Sequence, residues 1–137
     1  MPHRHPVKVR FYELDPYGHL NHSAYIQLFE TGRIELLEEA GIPLQNLEKH
    51  GFRFLVSRIE TSFFKPVEAG AELIVETQVI EIKKVSTIWY QKILRGETAA
   101  ATQKIRLGIT DLQGKPTRLP QVFASKLESY QSKSPLK

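Results

Sequence analysis

Four segments of alternating apolar and polar residues follow one another in the second half of the chain, and they constrain its fold more than any other feature. They cover residues 52–64, 71–82, 85–94 and 98–110. Alternation with a period of two is typical of strands that bury one face. The connections are so short that consecutive strands must run antiparallel. The sequence therefore predicts an antiparallel meander.

A single long amphipathic segment precedes the meander. From about Ser23 to residue 40, apolar side chains recur at steps of three and four, which predicts a helix of about 18 residues, or roughly 27 Å. Asn21 or Ser23 can cap its start, and Gly41 ends it. Gly32 lies in mid-helix, where glycine costs stability relative to alanine. We therefore expect the helix to approach the sheet closely at Gly32.

The ends of the chain add smaller elements. Residues 7–14 alternate apolar and polar side chains and predict a first strand with one buried face. The tail from Pro120 is predicted to form a short helix. Residues 1–6 and 131–137 are expected to be flexible ends. Together the elements predict one α+β domain over residues 1–137.

One helix can cover only one face of a sheet of about five strands. The other face is not purely polar, because residues 63–64 (FF) and 88–90 (IWY) are large and apolar. An exposed apolar face usually marks a surface for a partner. We therefore expect a homodimer, or a homotetramer formed by two dimers.

Composition excludes several classes of protein. The chain has no cysteine, which excludes disulfides, thiolate nucleophiles and cysteine-ligated zinc. No stretch approaches the roughly 20 apolar residues that span a bilayer, and the N-terminal segment lacks the apolar core of a signal peptide. We therefore expect a cytoplasmic protein without membrane insertion. The net charge of +4 suits anionic partners, but no base-reading motif is present, so we expect no nucleic-acid binding.

Polar groups are concentrated where the first strand meets the helix, in the stretch YELDPYGHLNHSAY at residues 12–25. Asp15 stands just before a helix start, whose unpaired N–H groups and positive dipole end attract an anion. Asp before Pro is also a common turn former, so the residue types alone leave both interpretations open. His19 and His22 are zinc-ligand types, but His19 precedes the helix, so spacing does not put them on one face and we predict no metal.

This junction resembles the hotdog-fold thioesterases of the 4-hydroxybenzoyl-CoA thioesterase-like group. The resemblance is carried by VRFYELDPYGHLNHSAYIQLFETGRIELLEEAGI at residues 9–42, with support from SFFKPVEAGAELIVET at 62–77 and GKPTRLP at 114–120. Within the group, the chain is most similar to the small acyl-ACP and acyl-CoA thioesterases. The resemblance implies a hotdog fold, in which a curled antiparallel sheet wraps around a long central helix.

The resemblance also implies catalytic roles for the residues of the junction. Asp15 is expected to attack the acyl carbon or to deprotonate a water, and both roles remain open. The backbone amide of His22 is expected to bind the developing oxyanion, with the Ser23 N–H as a second candidate. Asn21 and the His22 side chain are expected to orient the thioester or the water.

Two further carboxylates have weaker assignments. Glu13 is a backup for Asp15, although strand alternation makes its reach uncertain. Related hotdog enzymes use a helix carboxylate, for which Glu30 is the candidate here. A glutamate that is either solvated or in a salt bridge with Arg33 or Arg58 is the favoured interpretation.

The substrate side of the site follows from the same resemblance. Tyr25 either anchors the helix on the sheet or lines the acyl channel, and Gly18 in the turn is also expected to bind substrate. Because CoA and acyl carrier protein are both anionic, basic residues are candidates to bind them, above all Arg53, Arg58 and Lys65, followed by Arg95, Lys104 and Arg106. The acyl group is expected to meet large apolar residues, namely Phe11, Phe52, Phe54, Phe63, Phe64, Ile88, Trp89 and Tyr90. No cofactor is expected beyond the CoA or phosphopantetheine of the substrate.

Two rival functions remain open on the same fold. A 3-hydroxyacyl dehydratase needs a catalytic histidine with a carboxylate, and the junction contains both residue types. A non-catalytic acyl-CoA-binding module needs only the pocket and its basic rim, so Asp15 favours an enzyme over a module.

Overall fold

The structure is a computed structural model that describes residues 1–132, and within that range it contains five strands and three α-helices. In chain order they are β1 (His3–Lys8), a 3-10 turn (Phe11–Glu13), α1 (His22–Glu39), α2 (Leu44–Lys49), β2 (Arg53–Phe63), β3 (Glu72–Ile82), β4 (Ser86–Arg95), β5 (Thr98–Thr110) and α3 (Gln121–Glu128). None of these helices has the length and apolar character that crossing a membrane requires.

The strands form one antiparallel sheet in the order β1-β3-β4-β5-β2. The meander predicted over residues 52–110 is confirmed for β3, β4 and β5, which are neighbours in sequence and in the sheet. It was wrong for β2, which pairs with β5 and not with β3. β1 and β2 occupy the two edges, so the chain makes its longer crossovers at the helix and at the 64–71 loop. The predicted α+β hotdog architecture is confirmed.

α1 lies on one face of the sheet and divides the core into two clusters. The cluster under its first half includes Tyr25 and Phe29, and the cluster under its second half includes Leu36 and Trp89. These side chains follow the three-and-four spacing of the sequence, which is why one stripe of the helix is buried. α3 covers the end of the second cluster with Leu127 and its neighbours.

Gly32 is the point of closest approach between α1 and the sheet. A Cβ atom at this position would lie 2.5 Å from Cγ1 of Val75 and 2.9 Å from Oγ1 of Thr77 on β3. Both distances are too short for a side chain, so the close packing predicted at Gly32 is confirmed.

The prediction of a first strand over residues 7–14 was wrong in its bounds. β1 instead pairs with β3 from His3 to Lys8, so residues 3–6 are part of the sheet and are not a flexible end. After β1 the chain tightens into the 3-10 turn, where the Glu13 carboxylate accepts the Arg10 N–H at 2.8 Å. Phe11 is consequently 81% exposed. At the other end, Ser132 donates its N–H to Val79 O, and residues 133–137 lie outside the described range.

The exposed apolar surface lies along an edge of the sheet. Trp89 is fully buried beneath α1, so the IWY segment does not expose its largest side chain on the outer face, contrary to the expectation from sequence. β2 instead carries exposed apolar residues, and the adjoining Phe64 extends them: Leu55, Val56, Ile59, Phe63 and Phe64. The second hydrogen-bonding edge of β2 has no partner strand among residues 1–132.

Candidate active site

The half-buried Asp15 is fixed in a tight turn before α1. Its backbone N–H donates to the carbonyl of His19 at 2.7 Å. Its Oδ1 accepts the N–H groups of Tyr17 at 2.9 Å and of His19 at 3.1 Å. Gly18 has φ +80°, a backbone conformation that favours glycine. The turn uses only one carboxylate oxygen, because Oδ2 makes no hydrogen bond within residues 1–132.

Asn21 is the cap of α1. Its Oδ1 accepts the N–H of Ser23 at 3.0 Å and the Ser23 hydroxyl at 2.8 Å. The Ser23 N–H, the second oxyanion candidate, therefore already donates to the cap and is not free for a ligand. The Asn21 oxygen, which was expected to orient the substrate, is occupied by the same hydrogen bonds. The His22 N–H, by contrast, has no acceptor in the described chain. It is the first-turn donor left free for a ligand.

Asp15 and His22 line the same cavity, which has a volume of about 340 Å³. The remaining wall comes from the loop, from α1 and from the end of β2, namely His19, Leu20, Tyr25, Phe63, Phe64, Lys65 and Pro66. The structure thus brings together the predicted carboxylate, the predicted oxyanion donor and two of the predicted apolar residues. It also places the backbone of the predicted Lys65 against this wall.

A second set of contacts holds the loop from behind. Leu20 donates its N–H to Val67 O at 2.7 Å, and the backbone of His19 pairs with that of Glu68 in an isolated antiparallel β-bridge. The Glu68 carboxylate in turn pairs with the guanidinium of Arg95 on β4. Arg95 therefore has a partner in the protein, which argues against its predicted contact with phosphate.

Tyr25 is an anchor of the cavity wall. It is 4% exposed, and its hydroxyl donates to the carbonyl of Lys65 at 3.0 Å. Its ring packs edge-to-face on Phe63, with centroids 5.2 Å apart. Burial raises the pKa of the Tyr25 hydroxyl, so this group stays neutral. The anchoring interpretation is therefore the better one, and the ring still forms part of the wall.

Several predicted residues lie elsewhere in the protomer. Arg53 pairs with Glu48 at 2.6 Å and Arg58 with Glu60 at 3.5 Å, and neither arginine lines the Asp15 cavity. Glu30 is exposed and makes no salt bridge within residues 1–132, so it is the solvated glutamate of the two predicted alternatives and does not pair with Arg33 or Arg58.

A buried cation escaped the sequence prediction. Arg33 entered the sequence analysis only as a possible partner of Glu30, yet it is only 7% exposed. The signal for its burial was its spacing, since it follows Phe29 by four residues and precedes Leu36 by three on the apolar stripe.

The site combines an acid with a backbone donor on one cavity. A carboxylate can act as a nucleophile or a general base, and a free N–H at a helix start can stabilise an oxyanion. Within residues 1–132, no group of three or more His, Asp and Glu side chains is arranged to hold a metal.

Comparison with known proteins identifies the family. The model of the thioesterase-like superfamily matches residues 9–127. The chain belongs to this superfamily. Among its members, a chloroplastic acyl-acyl carrier protein thioesterase of Arabidopsis thaliana, ATL2, is 26% identical over 131 residues, which cover 94% of this chain and 70% of ATL2. The acyl-CoA thioesterase YbgC of Haemophilus influenzae is 26% identical over 118 residues, which cover 85% of this chain and 87% of YbgC.

A solved structure agrees with this family assignment. The "probable thioesterase" of Bartonella henselae superimposes with a TM-score of 0.83 at 27% identity, covering 88% of this chain and all of that one (100%). The predicted hotdog thioesterase family is thus confirmed by sequence and by fold, and the chain is a thioester hydrolase of this family.

Proposed function

We propose that this protein hydrolyses fatty or aromatic acyl thioesters of CoA or acyl carrier protein. The observation that carries the proposal is the shared cavity of Asp15 and the free N–H of His22 at the start of α1. Membership of the superfamily supports it, as do the acyl-CoA and acyl carrier protein thioesterases among the relatives.

The reaction uses these two groups in sequence. The thioester carbonyl oxygen accepts the His22 N–H, whose position at the helix start stabilises the negative charge that develops there. Asp15 then either attacks the acyl carbon, giving a mixed anhydride and a thiolate that leaves, or removes a proton from an attacking water. Water completes the first route by opening the anhydride to two carboxylates. No cofactor enters either route.

The proposed assembly is a dimer formed along β2. An open strand edge with apolar side chains is a template for another strand, and a second copy is the simplest partner that fits. Antiparallel pairing of β2 with itself would put the Phe63 end of one copy beside the Arg53 end of the other. Arg53 would then lie beside the partner's cavity, where release of its ion pair with Glu48 would let it meet the anionic carrier, whereas Arg58 would lie opposite its own copy and away from both cavities. The tetramer and the cytoplasmic location stay predictions.

A thiol-trapping assay tests the proposal. The protein is mixed with a panel of acyl-CoA and acyl carrier protein thioesters of varied chain length, and release of free thiol is followed. Thiol release with formation of the free acid is the expected result. Conversion of 3-hydroxyacyl-CoA to an enoyl thioester without thiol release would indicate a dehydratase, and saturable binding without any conversion would indicate a binding module.

A further inference from the structure

Arg33 is a buried cation held by uncharged groups. Its Nη1 donates to Oε1 of Gln91 at 2.9 Å and to Oε1 of Gln103 at 3.0 Å. These glutamines are themselves fixed, because Gln91 donates to Oγ1 of Thr77 at 2.9 Å and Gln103 to Oγ1 of Thr61 at 2.9 Å. The network therefore orients the guanidinium without neutralising it.

Arg33 forms no ion pair within the described residues, and the exposed Glu30 is the carboxylate that lines the same cavity. A buried charge is costly unless it is paired. Burial lowers the pKa of Arg33 to about 10, and the nearby charge of Glu30 opposes that shift, so the guanidinium stays protonated at neutral pH. Its Nε and Nη2 have no acceptor in the described chain.

Arg33 lines a second cavity, between α1, α2 and the sheet. The volume is about 80 Å³, which is room for the end of a ligand but not for a whole acyl chain. Apart from Arg33 and Glu30, the wall is apolar, consisting of Ile34, Leu37, Leu44, Phe54, Val56, Trp89 and Leu107. A guanidinium in an apolar wall is a receptor for the acidic end of an apolar chain.

Both cavities have walls from α1 and β2. Tyr25 and Phe63 line the Asp15 cavity, and Arg33 and Val56 line the second. On β2, Val56 and Phe63 are seven residues apart, which is roughly 23 Å of strand. An acyl chain that starts at Asp15 and runs between α1 and β2 therefore leads toward Arg33.

We propose that the preferred acyl group carries a carboxylate at its far end, which Arg33 binds while Asp15 acts on the thioester. This inference rests on the proposed function and narrows its substrate class to monothioesters of dicarboxylic acids, in which one carboxyl group is the thioester and the other is free. Glu30 is exposed and lies beside Arg33, so it limits the space for a second anionic group at this site.

The test compares pairs of straight-chain acyl-CoAs of equal length that differ only in a terminal carboxylate. For wild-type protein, we expect kcat/KM to be higher for the acyl-CoA with the terminal carboxylate than for its partner without one, over one range of chain lengths. Arg33→Met should lower that preference about tenfold to a hundredfold, as loss of a charged hydrogen-bond partner does, and Arg33→Lys should keep part of it. Arg4→Met is the matched control, because Arg4 is an exposed arginine paired with Glu76 on β3. It should leave the preference unchanged.

A second measurement does not depend on the folding of the variants. Free dicarboxylates and monocarboxylates of matched length are compared as inhibitors of wild-type protein, and the dicarboxylates should inhibit more strongly. Equal kcat/KM and equal inhibition would overturn the inference and leave thioester hydrolysis intact. Preference for a terminal hydroxyl over a carboxylate would also overturn it. If the protein hydrolyses none of the thioesters tested, both this inference and the proposed function are overturned.

Discussion

Asp15 and Asp111 form two turns with the same hydrogen-bond pattern. Each donates its N–H to the carbonyl four residues later, at 2.7 Å to His19 and 2.8 Å to Lys115. Each Oδ1 accepts the N–H groups two and four residues later. The turn by itself is therefore a structural device that the chain uses twice. What distinguishes Asp15 is its place on a cavity beside the start of α1.

Removal of the free N–H at the start of α1 should slow catalysis. Proline is tolerated at the first position of a helix, and Asn21 before it already has φ −66° and ψ 142°, which proline requires of its predecessor. His22→Pro should therefore keep the helix but lose the donor, and kcat should fall about 10²- to 10³-fold. Steady-state kinetics on the best acyl-CoA substrate and a circular dichroism spectrum measure both effects.

His22→Ala is the matched control for that variant. It removes the same imidazole but keeps the backbone N–H, so its kcat should stay well above that of His22→Pro. Equal losses in the two variants would show that the side chain, and not the amide, matters at this position.

The ion pair behind the catalytic loop predicts a pH dependence of stability. Arg95 beside Glu68 lowers the pKa of that carboxyl from 4.5 to about 2. A depressed pKa in the folded state contributes stability above pH 4.5, and this contribution is lost as the pH falls toward 2. The difference in free energy of unfolding between wild type and Glu68→Gln should therefore be constant near neutral pH and shrink in acid. Urea unfolding at a series of pH values measures it.

A carboxylate without such a partner serves as the control. Glu72 is exposed and makes no salt bridge in the described chain, so Glu72→Gln removes a carboxylate without breaking an ion pair, and its free energy of unfolding should stay near that of wild type. A wild-type advantage over Glu68→Gln that persists unchanged to pH 2 would contradict the assignment.

The open edge of β2 predicts the oligomeric state. Ile59 is 40% exposed on this strand, and a lysine there would put charge into the proposed strand pairing. Light scattering should give wild type at least twice the chain mass of 15.7 kDa, and Ile59→Lys a lower mass. Val85→Lys changes an equally exposed residue (40%) in the β3–β4 connection and should keep the wild-type mass. A monomeric wild type would rule out the dimer.

The sequence predicted those parts of the fold that depend on local periodicity. β3 and β5 alternate over much of their length, and α1 repeats every three to four residues, so burial there follows the pattern. The bounds of the first strand were predicted wrongly because the alternation of apolar and polar residues continues to Phe11. In the structure the strand ends before that point, and the hydrogen bond from the Arg10 N–H to the Glu13 carboxylate belongs to a turn. A local contact of that kind is not visible as a change of period.

The site was predicted as far as its residues are close in sequence. Asp15 and His22 are seven positions apart and meet on one cavity. Arg53 and Arg58 were predicted from their charge; their partners Glu48 and Glu60 are close in sequence, but charge and spacing alone do not show that these ion pairs form. Arg33 was missed because its burial depends on Gln91 and Gln103, which are distant in the chain.

The most direct test of the account is the turnover of Asp15→Asn. The asparagine oxygen can still accept the N–H groups of Tyr17 and His19, so the turn should remain while the nucleophile or base is lost. Asp111→Asn makes the same change in the matching turn and should keep wild-type kcat. We expect kcat of Asp15→Asn on the best acyl thioester to fall about 10²- to 10⁴-fold, with a melting temperature near that of wild type. Wild-type turnover by a folded Asp15→Asn protein would contradict it.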